Sequence, residues 1–365
     1  MPNHSYAEDQ LEISLLTCSS GSPVYATFGH SAIRVKDVSN NRDIVFDFGV
    51  FNFNDPLFLP KFLKGELLYS LETQPFRGLL HSYKQDNRSV IEERLNLTLP
   101  QKKKIYLQLL QNLRPENKNY RYDFLYDNCA TRIRDLFFTL PVIFPTKDQP
   151  TTLTFRNHLH SYLPNKSWIK FGIDALLGSS VDQQMTHYEQ LFLPDPLSKQ
   201  LKKVRIQKNG KEEALLLASS VLVEKEMDTK TALQYLTPTL IFSLLMLCLG
   251  GWSWKKKNPD TILWYLFLLL GVIGVFLLGM WLLTNHPTSA NNWNLWWANP
   301  LYLLVVLIGV KRVSNSVLWG IVILNIILLL SWYFLPQQLN IATIPIVLGV
   351  LFLLVLKINY SKETV

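Results

Sequence analysis

The stretch Ile262–Leu283, which reads I-L-W-Y-L-F-L-L-L-G-V-I-G-V-F-L-L-G-M-W-L-L, decides the class of this protein. It contains no charged residue and no Asn, Gln, Ser or Thr. About 20 apolar residues in a helix cross the roughly 30 Å hydrocarbon core of a bilayer. We therefore expect an integral membrane protein.

Four further apolar runs of similar length lie on either side of this stretch. They are Tyr235–Trp252, Trp293–Val310, Val317–Phe334 and Ile341–Leu356. The run that starts at Trp293 is interrupted by Asn294, Asn299 and Pro300, so it either spans the bilayer or dips into it. The pattern predicts an all-α transmembrane bundle of about five helices over residues 233–365.

The charged residues divide the chain at the same place. Of the 28 acidic residues, 26 precede residue 233, and the two parts carry net charges of about +3 and +5. Neither part shows the concentrated basic surface of a nucleic-acid-binding protein. We predict an extramembrane domain over 1–232, a membrane domain over 233–365, and no nucleic-acid partner.

The basic residues of the second part predict its orientation. They are Lys255, Lys256, Lys257, Lys311, Arg312, Lys357 and Lys362, and five crossings would place all of them on one side. Loops rich in Lys and Arg stay in the cytoplasm, so the domain over 1–232 is expected in the periplasm or outside the cell. The opposite orientation, with a cytosolic N-terminus, would put Lys255–Lys257 outside against this rule.

Export of the first domain requires a targeting signal. Residues Met1–Gln10 contain neither an apolar core nor a cleavage site. We therefore expect that a signal peptide has been removed from this version of the chain.

The first domain mixes strand and helix patterns. Short apolar or alternating runs predict strands over Leu11–Leu16, Ala32–Val35 and Ile44–Phe48. Helical spacing predicts a helix over Pro100–Leu113, and Asn128 is a suitable N-cap for a second helix that ends near Phe138. Asn209-Gly210 predicts a hairpin between strands at Leu201–Ile206 and Ala214–Leu217. An α+β domain is the expected fold class.

Cys129 is the candidate nucleophile. The partial positive charge of a helix N-terminus favours a thiolate, and the first amides of that helix are able to receive an oxyanion. A structural alternative is a cysteine buried in the core, which is common for a lone cysteine on a helix. A disulfide between Cys18 and Cys129 is a third interpretation, which an exported domain permits and which would remove the nucleophile.

A nucleophilic cysteine needs a base, and His30 is the best candidate. It opens a predicted strand directly after Gly29. Asp47, on the following strand, is the candidate that accepts a hydrogen bond from the other ring nitrogen, with Asp43 as a rival. The sequence contains no metal-ligand motif and no phosphate-binding loop, so we expect no metal and no cofactor.

The motifs resemble those of a known enzyme group. A histidine that opens a strand, followed later by an Asn-Cys pair that opens a helix, resembles the circularly permuted papain-like enzymes, including the lecithin:retinol acyltransferase group. Four segments also resemble the Lnb-type lipoprotein N-acyltransferases of Bacteroidota. They are Leu15–Ser19, Phe28–Arg34, Phe46–Phe53 and Tyr120–Thr131, and Asn292–Leu301 with His286-Pro287 resembles the outer membrane loop of that family.

The resemblance implies a site and a reaction. Cys129, His30 and Asp47 would be catalytic, although relatives can carry Asn where Asp47 stands, so that position would supply orientation rather than a fixed charge. Ser31, Asn128, His286, Asn294 and Asn299 would bind substrate. A membrane phospholipid would donate an acyl chain through a Cys129 thioester to a diacylglyceryl lipoprotein, at the bacterial inner membrane.

Three alternatives remain open. A papain-like envelope hydrolase, either a peptidoglycan amidase or a lipid thioesterase, would use the same catalytic pair. A non-catalytic receptor built on a decayed enzyme would not react through Cys129. The polar loop of His286, Asn294 and Asn299 also fits an aromatic belt with polar capping residues.

Overall fold

A computed structural model describes residues 10–51, 55–226 and 235–363. Residues 1–9, to which the prediction about a signal peptide applies, lie outside these residues. The predicted domain boundary at 232/233 lies outside them as well. The chain divides into two compact units, Met1–Phe155 with Gln184–Asp228, and Arg156–Gln183 with Thr229–Val365. Residues 156–183 thus belong with the C-terminal part of the chain, which the predicted boundary did not anticipate.

The first unit is an α+β domain, as predicted. Its strands are β1 (Leu11–Cys18), β2 (His30–Asp37), β3 (Arg42–Val50), β4 (Leu68–Pro75), β5 (Val90–Leu95), β6 (Asn119–Arg121), β7 (Val142–Ile143), β8 (Pro150–Thr154), β9 (Gln184–Thr186), β10 (Arg205–Lys208), β11 (Lys211–Ala214) and β12 (Leu216–Val223). Its helices are α1 (Phe58–Lys64), α2 (Phe76–Gln85), α3 (Leu99–Asn112), α4 (Cys129–Phe137) and α7 (Pro194–Leu201), and α5 (Phe155–Ser161) begins at its last residue before the second unit.

Seven strands form one sheet in the order β12-β5-β1-β2-β3-β4-β6, and each neighbouring pair is antiparallel. The register places Leu15 opposite Ile33, and Ile33 opposite Phe46. Directly opposite residues share a face, so these three side chains point into one core. That core also receives Ile105 of α3 and Ile133 of α4, whereas Phe76 and Leu79 of α2 belong to a second buried cluster.

Local chemistry explains the elements that the sequence predicted. Thr98 and Gln101 form a capping box at the start of α3, which begins one residue before the predicted helix. Asn209 and Gly210 have φ angles of 50° and 78°, as the tight turn between β10 and β11 requires. Leu201, predicted as a strand residue, instead ends α7.

The second unit is helical. It contains α6 (Ser167–Leu176), α8 (Pro238–Lys256), α9 (Asp260–Leu283), α10 (Tyr302–Ile308), α11 (Asn315–Ser331) and α12 (Thr343–Glu363), together with α5 from Arg156 onward. Three helical segments in the described part of the chain are long and apolar enough to cross a membrane, namely Asp260–Leu283, Asn315–Phe334 and Thr343–Ser361. The prediction of five spanning helices is therefore not confirmed.

The run that starts at Trp293 shows the largest difference from the prediction. Only Tyr302–Ile308 forms an α-helix; Asn294 lies in a short 3-10 helix, and Asn299 and Pro300 follow it before the α-helix begins. The part of the run before this helix lies close against α9. A Cβ added to Gly274 of α9 would come within 2.2 Å of the Ala298 carbonyl oxygen. Glycine at this position thus allows the close backbone approach that is common between membrane helices.

A buried ionic cluster holds the 156–183 segment within the second unit. Arg156 is fully buried and donates to Asp174 and to Asp182, each at 2.8 Å. Asp174 also lies 2.7 Å from His160 Nε2 and accepts from Asn340 Nδ2 at 2.8 Å. Every charge in the cluster therefore has a partner, which is the condition for burying ions at tolerable cost.

Candidate active site

Cys129 is the first residue of α4, and its position is fixed by a capping box. The Asn128 side-chain oxygen accepts from the amides of Ala130 at 2.8 Å and Thr131 at 3.0 Å, while the Thr131 hydroxyl accepts from the Asn128 amide at 2.7 Å. This reciprocal pair satisfies amides that a helix start would otherwise leave without partners. The predicted N-cap is confirmed, and the thiol sits at the positive end of the helix.

The same cap changes the expected oxyanion donors. Since the amides of Ala130 and Thr131 already donate to Asn128, they do not face an incoming substrate. Among the first three amides of α4, only that of Cys129 itself remains as a candidate donor to an oxyanion.

Asn128 also ties the helix start to two other segments. Its side-chain nitrogen donates to the carbonyl oxygens of Phe124 at 2.8 Å and Phe192 at 3.0 Å. Asn128 is buried and uses both ends of its amide inside the protein. Although it lines the pocket, these contacts support a positioning role more directly than the substrate-binding role that we expected.

His30 begins β2 and is oriented by Asp47. Its Nε2 lies 2.6 Å from Asp47 Oδ1, and Gln74 donates to Asp47 Oδ2 at 3.0 Å. The structure thus places Asp47 beside His30 as expected, whereas the rival Asp43 pairs with Arg34 at 2.7 Å. With Nε2 engaged by Asp47, the opposite ring nitrogen is available to the cysteine.

Cys129 and His30 shift each other's pKa in the directions that favour a charged pair. Burial opposes ionisation of the thiol, but the charge of His30, its hydrogen bond and the Ser31 backbone amide together lower the pKa of Cys129. Burial likewise opposes protonation of the imidazole, but the charges of Asp47 and Cys129 raise the pKa of His30 well above its ordinary value. A thiolate beside an imidazolium is the reactive form of such a pair.

Ser31 supports the sulfur through its main chain. Its amide donates to the Cys129 sulfur, whereas its side chain is fully buried. The substrate-binding role expected for Ser31 stays a prediction, and the contact that the structure provides is with the Cys129 sulfur.

Gly49 is a site residue that sequence reasoning missed. It interrupts the β3–β4 register between Phe48 and Val50 and has a φ angle of 117°. A Cβ at this position would lie 3.5 Å from His30 Cε1 and 3.9 Å from Cys129 Cβ. The glycine therefore allows an unusual backbone conformation directly beside Cys129 and His30. The position of Gly49 within the Phe46–Phe53 motif was the feature of the sequence that could have identified it as a site residue.

The pair opens into a pocket of about 240 Å³. Tyr and Phe are the commonest residues of its walls and include Tyr25, Phe28, Phe51, Tyr69, Tyr122 and Phe124, while Asp47 and Arg88 also line it. Burial is the main cause that raises the pKa of Tyr69 to about 12, so its hydroxyl stays neutral at physiological pH. The aromatic part of the wall is suited to contact with an apolar acyl group.

Cys18 is not bonded to Cys129. All three cysteines are free thiols, so the disulfide interpretation does not apply to this structure. Cys18 is fully buried opposite His30 in the β1–β2 pairing, and burial raises its pKa to about 11. Its thiol is consequently an inert core group at neutral pH.

The other predicted substrate-binding residues belong to the second unit. Asn294 is buried, donates to the Asp174 carbonyl oxygen at 2.9 Å and accepts from Trp297 Nε1 at 2.8 Å. Asn299 accepts at 2.9 Å from the amide two residues further on, and His286 precedes a 3-10 turn. The internal bonds of Asn294 favour the structural interpretation, and a substrate-binding role for this loop stays a prediction.

Alkylation of Cys129 by iodoacetamide should report the charged pair. We expect the apparent pKa of Cys129 to lie below 9.0, the ordinary value of a thiol. The alkylation rate should therefore stay high until the pH falls through this lower pKa. His30→Asn should move this pKa upward, because the thiolate loses its cationic partner. The Cys129 peptide is followed by mass spectrometry, which separates its signal from that of the exposed Cys248, and buried Cys18 serves as an unreactive reference. An identical profile in the variant would contradict the pairing.

Two family models match separate parts of the chain. A family model described as the Lnb N-terminal periplasmic domain matches residues 1–160. A second, described as the Lnb transmembrane domain, matches residues 228–363. Nothing among curated proteins or solved structures matches the chain.

Proposed function

Because the chain belongs to the Lnb family, whose two domain models together match more than half of its residues, we propose that it is a lipoprotein N-acyltransferase. The chain is a membrane protein with a periplasmic domain, and we place it in the bacterial inner membrane. The observation that carries the proposal is the Cys129–His30–Asp47 arrangement at an aromatic pocket.

In the first step the Cys129 thiolate attacks an ester carbonyl of a membrane phospholipid. The carbon–oxygen bond of the ester breaks, and the leaving alkoxide takes a proton from the His30 imidazolium. A thioester on Cys129 and a lysophospholipid result. The Cys129 amide is the oxyanion donor that α4 offers to the tetrahedral intermediate.

In the second step the α-amine of a diacylglyceryl-cysteine lipoprotein attacks the thioester. His30, now neutral, accepts a proton from the attacking nitrogen, and the carbon–sulfur bond breaks. The products are an N-acylated lipoprotein and the restored thiolate–imidazolium pair. Asp47 keeps the imidazole in one orientation through both proton transfers.

The membrane helices give this mechanism a physical advantage. Donor and acceptor are both lipids with very low solubility in water. An enzyme held in the same bilayer meets them by lateral diffusion, whereas a soluble enzyme would first have to extract each lipid at a cost of about 0.8 kcal/mol per methylene.

The reaction is tested by mass spectrometry of a lipoprotein N-terminus from cells with and without this protein. We expect a mass difference of one acyl chain, located on the α-amine. In parallel, incubation of the purified full chain with phospholipid should leave an acyl group on Cys129 that hydroxylamine removes at neutral pH, as expected of a thioester.

The hydrolase alternative predicts different products. Release of peptidoglycan fragments, or of free fatty acid at the same rate with and without an acceptor lipoprotein, would contradict acyl transfer. An unchanged lipoprotein mass in cells that lack the protein would contradict it as well.

A further inference from the structure

Aromatic rings form a continuous track from the catalytic pocket to the protein surface. Tyr122 stacks on Tyr69 with ring centres 4.1 Å apart, and Tyr69 lies 4.7 Å from Phe51. Phe51 stacks on Phe58 at 5.7 Å, and Phe58 is followed by Phe62 at 6.3 Å. The first three of these residues line the pocket that contains Cys129, while the last two belong to α1. The apolar wall of the pocket is therefore continuous with the surface of α1.

The outer end of this track is an exposed apolar lip. We define the lip by five residues, Val24, Tyr25, Leu57, Leu59 and Phe62, each of which is between 44% and 66% exposed. Tyr25 joins the lip to the track, since its ring centre lies 6.3 Å from that of Phe51. None of the α1 residues Phe58–Lys64 is buried. A cluster of large apolar side chains in water is costly and marks a contact surface.

The charges around the lip indicate which kind of surface it contacts. Lys61 pairs with Asp55 at 2.7 Å, and Lys64 pairs with Glu66 at 3.0 Å. These cations are balanced by neighbouring carboxylates, so the lip has little electrostatic attraction for an anionic partner. A contact of this composition depends on apolar burial, as it does for short segments that lie at a lipid interface.

We propose that the lip inserts into the acyl region of the membrane surface and that the aromatic track guides one lipid acyl chain from the bilayer to Cys129. The inference rests on the proposed function, because it takes a membrane lipid as the acyl donor. The proposal adds the route by which the acyl chain reaches Cys129. It also names residues outside the catalytic pair that select for long acyl chains.

Insertion is tested without any chemistry at the active site. Leu59→Cys is labelled with an environment-sensitive fluorophore in full-length protein that also carries Cys129→Ala and Cys248→Ala, in vesicles of phosphatidylethanolamine and phosphatidylcholine. We expect quenching by spin labels on the lipid acyl chains and protection from iodide. Leu107→Cys is the matched control, because Leu107 is exposed to a similar degree on α3. Equal iodide quenching at both positions would overturn insertion, whatever the catalytic result.

The effect on catalysis is tested with two donors. Leu59→Ser combined with Phe62→Ser should slow acylation of Cys129 by vesicle phospholipid about tenfold or more, since two large apolar contacts with lipid are lost. The loss should be much smaller with a water-soluble butyryl thioester, which does not have to leave a bilayer, and Leu107→Ser should affect neither donor. An equal loss with both donors, or a loss with neither, would contradict a role of the lip in lipid capture.

The track is tested by its preference for chain length. Each methylene that leaves water for the track is worth up to about fourfold in kcat/KM, so octanoyl thioesters should be preferred over butyryl thioesters. Phe51→Ala should reduce the octanoyl-to-butyryl ratio at least tenfold, because the ring joins the pocket to α1. An unchanged ratio would overturn the route through Phe51.

Discussion

Cys129→Ala is expected to lower lipoprotein N-acylation about a thousandfold or more, because the atom that carries the acyl group is removed. Alanine is a good residue for the first turn of a helix, and the capping box of Asn128 and Thr131 does not involve the thiol. The thermal transition of the variant should therefore stay close to that of the original protein.

The matched control is Cys248→Ala. Cys248 is an exposed thiol in α8 that takes no part in the catalytic pair, so this variant should retain full activity. For both variants we measure the fraction of lipoprotein molecules whose N-terminus carries the additional acyl chain. Substantial acylation by Cys129→Ala would exclude this residue as the nucleophile.

Arg156→Met should cause the largest loss of stability in the second unit, about 3–5 kcal/mol. The substitution removes the cation that faces Asp174 and Asp182 and leaves two carboxylates in a buried setting. It is measured as a lower thermal transition of the full chain in detergent. For comparison, Arg205→Met removes an exposed side chain and should cost less than about 1 kcal/mol.

A compensating variant separates charge from packing. If the loss of the cation beside these buried carboxylates destabilises the variant, adding Asp174→Asn and Asp182→Asn to Arg156→Met should restore much of the stability. A loss that persists in the triple variant would instead indicate that the packing and hydrogen bonds of the Arg156 side chain dominate.

The placement of Cys129 and His30 was predictable because local chemistry determines both positions. Asn128 before Cys129 indicates a helix start in the sequence, and the structure confirms the cap. Gly29 before His30 likewise marks a strand start, and the φ angle of Gly29 is 78°. Residues whose setting depends on their immediate neighbours in the chain can be identified from sequence alone.

The supporting residues were not predictable, because they depend on pairing between distant segments. Gln74 reaches Asp47 only because β4 lies beside β3, with Val45 opposite Gln74. The cluster of Arg156, Asp174 and Asp182 forms between segments that no periodicity relates to one another. The membrane bundle shows a similar limit, since hydropathy marks five runs but does not show that the run from Trp293 forms only a short α-helix.

The grouping of residues 156–183 with the C-terminal unit has a practical consequence for protein engineering. A fragment that ends near residue 232 would retain this segment and lose Asn292, Asn294, Gln337 and Asn340, whose side chains bond to it. Thr154 and Gln184 are paired neighbours in the β8–β9 ladder. A water-soluble catalytic fragment therefore calls for two deletions, with a tight hairpin turn replacing the segment between these two strands.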